Sequence, residues 1–239
     1  MNKRSRLIAA VMAAWFATVP WSAATAGSIQ LLVTDKEGKP VPDVVVLVAS
    51  AQKTAAAAPA APVVIAQQDL RFVPFLSVVA QGSTLRFVNR DGYDHHVRST
   101  PSGPLGNAPP VTSFEFRLDA GEAAPSSPND EYKSPAAARK KTGATTAEVK
   151  LDKPGPIGLG CHIHASMRGQ VYVSATPWFG KTDANGALVI DGVPDGAAEV
   201  TLWHPDQLQD QPPLQVQVAP GTPAKSTAQL NFTPRRRRS

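Results

Sequence analysis

The chain reads as all-β. Three observations lead there. Apolar and β-branched residues fall in short alternating runs, and 23 prolines and 17 glycines break those runs apart. Beyond the first two dozen positions, no apolar pattern with a helical period extends to a useful length. Strands of five or six residues joined by Gly-, Pro- and Asp-bearing turns are what such a pattern can build.

The first segment looks like an export signal rather than part of the fold. Lys3, Arg4 and Arg6 give a positive start, residues 7–21 an apolar stretch, and Ala24-Thr25-Ala26 a small-residue cleavage site. Residues 1–26 are therefore expected to be removed. The apolar stretch is about fifteen residues, short of the roughly twenty that cross a bilayer, and no later segment approaches that length. The expectation is a periplasmic protein with no membrane span after signal cleavage. The leader holds three basic residues and no acid, so the 24 Lys+Arg and 19 Asp+Glu of the whole chain leave a nearly balanced mature protein. Arg235, Arg236, Arg237 and Arg238 form a short terminal run that reads as solvated, and no nucleic-acid partner is expected.

Residues 28–34 alternate, with Ile29, Leu31 and Val33 on one face, and turn at Asp35-Lys36-Glu37-Gly38-Lys39-Pro40. A second strand over 44–49 gives a hairpin-like opening. Residues 51–62 are an Ala/Pro-rich linker. Residues 63–176 form a block of strands, among them 76–79 and 84–88 around Gln81-Gly82-Ser83, one marked by Phe114 and Phe116, and a closing strand over 169–173. Inside the block, 119–146 is rich in Ala, Pro, Ser, Lys and acids, buries little, and reads as a flexible surface insertion. Asp183-Ala184-Asn185-Gly186 is a strong turn before strands at 187–190 and 199–203. One or two more strands follow over 214–232, ahead of the basic tail 233–239.

The chemistry sits in two clusters. One is Gly160-Cys161-His162-Ile163-His164-Ala165-Ser166-Met167-Arg168-Gly169, which holds the only cysteine and the only methionine beyond the leader; the other is Asn89-Arg90-Asp91-Gly92-Tyr93-Asp94-His95-His96-Val97. An exported lone thiol invites oxidation or intermolecular pairing unless it is protected, and ligation to a metal protects it. Thiolate and thioether select copper or similarly soft metals, and imidazole suits both copper oxidation states. A thiolate, two imidazoles and a thioether are the donor set of a mononuclear blue-copper site. If His95 faces an ion, alternation turns His96 to the opposite side, and the same argument turns His162 away from Cys161. His204 lies far off in sequence and is expected to pack elsewhere.

Residues 70–173 resemble the cupredoxins, in particular the amicyanin/plastocyanin-like blue copper proteins. The late motif has Cys161, His164 three residues on and Met167 six residues on, then Arg168-Gly169; the early motif has Asn89-Arg90, an acid, then His95 and Val97. The resemblance implies a Greek-key β-sandwich binding one copper ion that cycles between Cu(I) and Cu(II). It implies His95, Cys161, His164 and Met167 as ligands, His164 as the electron port, and transient redox partner proteins. His96 stands where relatives usually carry an Asn that tethers the ligand loops, and Leu159-Gly160 where an aromatic residue is common. Groups behind the ligands orient them and tune the metal, so these departures alter that tuning.

Residues 27–50 and 177–232 resemble the two parts of a carboxypeptidase-regulatory-like (transthyretin-like) sandwich. The matching residues are Asp35 and Gly38-Lys39-Pro40-Val41 early, then Thr182-Asp183-Ala184-Asn185-Gly186, Val193-Pro194-Asp195-Gly196 and Leu202-Trp203-His204-Pro205 late. The implied layout is a cupredoxin inserted into or flanked by this smaller sandwich, as in bacterial methylamine-utilisation-type proteins. The implied function is electron transfer between redox partners, with copper binding and delivery through the same ligands as the alternative. An enzyme is not expected. Cys161-His162-Ile163 echoes multicopper oxidases, yet Gly160 precedes the cysteine, and five histidines cannot build a blue centre together with a trinuclear cluster.

Overall fold

The computed structural model describes residues 26–52, 57–121 and 144–235. The expected leader (apart from Ala26), part of the linker, most of the 119–146 insertion and Arg236, Arg237 and Arg238 lie outside the described residues. Within them the chain is all-β, with these strands: β1 (Ala26–Thr34), β2 (Val45–Ser50), β3 (Val63–Gln68), β4 (Arg71–Val73), β5 (Leu76–Ala80), β6 (Thr84–Asn89), β7 (His95–Thr100), β8 (Glu115–Leu118), β9 (Thr146–Lys150), β10 (Gly155–Cys161), β11 (Arg168–Ser174), β12 (Trp178–Lys181), β13 (Ala187–Pro194), β14 (Gly196–Trp203), β15 (Leu214–Val218) and β16 (Ala224–Gln229). No helix among the described residues is long and apolar enough to cross a membrane.

Two hydrophobic cores organise the strands. The first is assembled from both flanks of the chain, with sheet β13-β1-β16 facing sheet β12-β2-β14-β15. Alternation in β1 turns Ile29, Leu31 and Val33 inward, where they meet Val44, Val46, Val48, Val200 and Leu202 from the facing sheet. The expected opening hairpin does not form. Strand β1 pairs antiparallel with β13 and parallel with β16, while β2 lies between β12 and β14. The reason is burial: Val44, Val45, Val46 and Val48 are all solvent-excluded, so β2 needs a neighbour on each edge and a core beneath it. The Asp35 turn therefore carries the chain from one sheet to the other.

The second core belongs to one run of chain, β3 through β11. Sheet β4-β3-β6-β9 packs on sheet β5-β11-β10-β7-β8. Its centre holds Ile65, Leu85, Phe87, Val97, Leu118, Ile157, Leu159 and Val171, with Cys161 and Met167 in the same cluster. Phe87 is fully buried against Phe114 and Phe116, at centroid distances of 5.6 and 5.3 Å. Burial of one such side chain stabilises the fold by roughly 1.5–3 kcal/mol. Strands β5 and β6 flank the turn around Gly82 but join different sheets. The cores touch where the Tyr172 and Trp203 rings stand 5.0 Å apart and where the Thr176 hydroxyl donates to the Val48 carbonyl.

Candidate metal centre

Strands β7 and β10 are antiparallel neighbours, with Cys161 opposite Val97. This register sets the last residue of β10 beside the first of β7, which is His95. After Cys161 the chain makes one tight turn before β11. The Met167 N–H donates to the His164 carbonyl at 2.9 Å, and the Cys161 N–H to the Met167 carbonyl at 3.3 Å. The seven residues from Cys161 to Met167 thus fold back on themselves and bring the His164 ring over the cysteine.

Three donor atoms converge. Cys161 Sγ lies 3.6 Å from His95 Nδ1 and 3.5 Å from His164 Nδ1, and the two ring nitrogens are 3.2 Å apart. The point equidistant from the three atoms is about 2.0 Å from each, matching metal–nitrogen bonds and slightly short of metal–sulfur bonds of roughly 2.3 Å. The donor set and its spacing therefore fit a soft or borderline metal ion. His95 and Cys161 are buried and His164 is half-buried. Met167 is buried beside Cys161 in the same core, its backbone tied to both Cys161 and His164.

A carboxylate stands behind the site. His95 Nε2 lies 2.8 Å from Asp91 Oδ2. An ionised carboxylate only accepts, so Nε2 carries the proton and Nδ1 presents its lone pair to the other donors. The Asp91 carboxylate also accepts the backbone N–H of Asp69 at 2.7 Å and of Leu70 at 3.3 Å. Burial pushes the Asp91 carboxyl up, but the His95 hydrogen bond and the two backbone N–H groups outweigh it and leave the group below its ordinary value. Burial pushes the His95 imidazole down, against the opposing pull of Asp91. The pair is therefore anionic carboxylate and neutral imidazole near neutral pH. Asn89 braces the same loop: its side-chain oxygen accepts the Asp91 N–H, and its amide donates to the Tyr93 and Asp119 carbonyls. The Cys161 sulfur accepts the His96 N–H at 3.4 Å, and the Tyr93 ring meets both His95 and His164 edge-on.

His95, Cys161 and His164 come together although about seventy residues separate the two clusters. His96 and His162 point away, to the outer face of the sheet, where His96 Nε2 lies 3.0 Å from Glu115. His204 is buried in the first core, its Nδ1 accepting the Asp206 N–H and its ring against Phe232. Sequence reasoning missed the roles of Asp91, Asn89 and Tyr93. Asn89-Arg90-Asp91-Gly92 has turn composition, which was the available signal that these polar side chains cap a loop beside His95.

The fold and site define an all-β protein with a compact sulfur–nitrogen donor set between two neighbouring strands. No family model and no curated protein matches the chain. Among solved structures it is similar to the Cu(I) form of an amicyanin point mutant, at 19% identity over 54% of this chain and 97% of that one, with a TM-score of 0.31. It is similar to a purple cupredoxin from Nitrosopumilus maritimus, at 17% identity over 47% of this chain and 99% of that one, TM-score 0.32. It is also similar to the copper-containing nitrite reductase of Thermus scotoductus, at 19% identity over 60% of this chain and 28% of that one, TM-score 0.34.

Proposed function

We propose that this chain is an exported mononuclear type 1 copper protein that carries single electrons between redox partner proteins. One observation carries the reading: the Cys161 sulfur and the His95 and His164 Nδ1 atoms form a triangle with edges of 3.2–3.6 Å. Copper bound there would supply the one-electron couple. His95 Nδ1, Cys161 Sγ and His164 Nδ1 would hold it, with the Met167 thioether as a further soft donor.

The surrounding residues suit a carrier. His95 sits on a strand end, pinned by Asp91, and Cys161 ends a central strand, so neither donor needs to move when the charge at the site changes by one. His164 is the donor nearest solvent, with exposed Ile163 and Tyr93 beside it, and serves as the port where a partner docks transiently. We assign no catalysis and no nucleic-acid partner to the chain. The first core is proposed as a carboxypeptidase-regulatory-like sandwich that holds the copper module between its two parts.

The test is an absorption and electron paramagnetic resonance spectrum of the copper-loaded chain beside Cys161→Ser. An intense visible band with a reversible couple, lost in the variant, supports the carrier. Tight Cu(I) uptake with rapid exchange and no such band would indicate copper delivery through the same ligands. A visible band that survives Cys161→Ser overturns the assignment.

A further inference from the structure

We propose that His96, His162 and Glu115 form a second site, on the outer face of the same sheet, for a divalent transition-metal ion such as zinc or copper(II). The outer histidines back onto the inner donors through the sheet. His95 and Cys161 point in, so their sequence neighbours His96 and His162 point out, and the His162 N–H donates to the His96 carbonyl at 2.9 Å across the strand gap. The outer rings stand 5.5 Å apart at 60°. The inner rings, whose nitrogens are within reach of one ion, stand 4.9 Å apart at 65°. The outer ligand atoms are not yet gathered as the inner ones are: among the described residues only His95, Cys161 and His164 bring three such atoms within 4.8 Å of one another, so the His162 ring must turn inward for the outer site to close.

A third donor is in place. Glu115 Oε1 lies 3.0 Å from His96 Nε2, and the side chains of both reach solvent. The His162 ring nitrogens make no hydrogen bond among the described residues, and the ring is exposed, so it can turn toward the other two. Arg117, the register partner of His96, is drawn aside by Asp94 and Asp119, which keeps its charge off the site. Arg98, opposite Glu115, is exposed and lowers the affinity for a cation without blocking it. Two imidazoles and one carboxylate favour zinc, copper or nickel over magnesium and calcium, which take oxygen ligands.

Such an ion would act on the inner site. The His96 N–H donates to the Cys161 sulfur, so a positive charge on the His96 ring lies one residue's span behind the donor set. A cation there favours the state of lower positive charge inside, and filling the outer site raises the reduction potential of the copper within. This coupling rests on the copper reading; the outer site itself does not.

The experiment titrates zinc sulfate by calorimetry into the copper-loaded full chain, with His162→Ala and Glu115→Gln alongside. His162 is exposed, so its replacement leaves the fold intact. One further zinc equivalent is expected in the parent chain, lost in His162→Ala with the visible band retained and weakened in Glu115→Gln. Zinc should also shift the couple upward in the parent and not in His162→Ala. No zinc uptake by the copper-loaded chain, or uptake equal in all three proteins (an adventitious ion only), overturns the site. Zinc uptake without a shift of the couple overturns the coupling and leaves the site standing. The same titration on Cys161→Ser, whose inner donor set is broken, separates the two readings: an equivalent lost on adding His162→Ala supports the outer site whether or not the chain takes copper.

Discussion

The Asp91 carboxylate is hydrogen-bonded at 2.8 Å to the side of the His95 ring opposite Cys161. One buried anion thereby sets which ring nitrogen is free, holds the ring in plane, and anchors the backbone of Asp69 and Leu70. Those two residues have φ of 53° and 58°, a conformation that costs an L residue roughly 1–2 kcal/mol. The strained turn and the histidine cluster are one unit, joined through a single side chain.

Replacing Asp91 with Asn keeps the size and removes the charge. The amide cannot accept from His95 and the two backbone N–H groups as strongly, and one of its atoms becomes a donor. Copper affinity is expected to fall about 10–100-fold, the usual effect of losing a group that orients a ligand histidine. The reduction potential is expected to rise, because an anion behind His95 favours Cu(II). Competition against a chelator and voltammetry read the two effects separately. If neither changes, Asp91 is a loop brace and nothing more.

Phe87→Ala removes the largest side chain at the centre of the second core, where Phe114 and Phe116 cannot close the gap without moving. The expected cost is about 3–5 kcal/mol. Trp178 and Trp203, the two of the four tryptophans that lie beyond residues 1–26, both belong to strands of the first core, so in a chain lacking residues 1–26 tryptophan fluorescence during urea unfolding follows that core. The expected result is an earlier loss of far-ultraviolet dichroism with the fluorescence midpoint unmoved. If both midpoints fall together, the Tyr172–Trp203 junction couples the cores into one cooperative unit.

The donors were legible because their identity and spacing are chemical facts written along the chain. Cys161, His164 and Met167 need only one turn to meet, and alternation alone sends His96 and His162 outward. Strand faces were legible for the same reason: Ile29, Leu31 and Val33 share a side whatever lies next to them. Strand neighbours were not. Alternation says which residues of β1 and β2 are inside, but not whether the two strands pair edge to edge or face each other across a core, and here they face. The Asp91–His95 contact was hidden because it depends on a loop closing over Asp69 and Leu70, residues that no local pattern links to the histidine.

Gly186 closes the turn before β13 with φ of 72°, its N–H on the Asp183 carbonyl and its own carbonyl receiving the Val33 N–H. A Cβ there would run into the Val33 carbonyl oxygen and approach the Val41 nitrogen. Gly186→Ala is expected to destabilise the first core by at least about 1–2 kcal/mol from the backbone conformation alone. The tryptophan fluorescence midpoint should fall while the visible band of the copper-loaded protein is unchanged. An unaltered midpoint would mean that the turn relaxes without cost.

Asp35 contributes to the acid sensitivity of the first core. Its carboxylate accepts the Lys39 N–H at 2.9 Å and the Glu37 N–H at 2.8 Å, closing the turn that carries β1 toward β2. The Lys39 hydrogen bond is the largest influence; with the Glu37 bond it outweighs burial and holds the carboxyl below its ordinary 3.8. The unfolded chain therefore takes up this proton first. Stability from Asp35 is complete above pH 3.8 and is lost as pH falls through the lower folded value. Asp35→Asn cannot ionise, so the variant should be less stable at neutral pH and its stability should vary less with pH across that acid window. Urea midpoints followed by tryptophan fluorescence, parent against variant from neutral into acid, measure the difference. Two curves that stay parallel down to the acid limit would remove Asp35 as the titrating group and leave the turn held by its backbone alone.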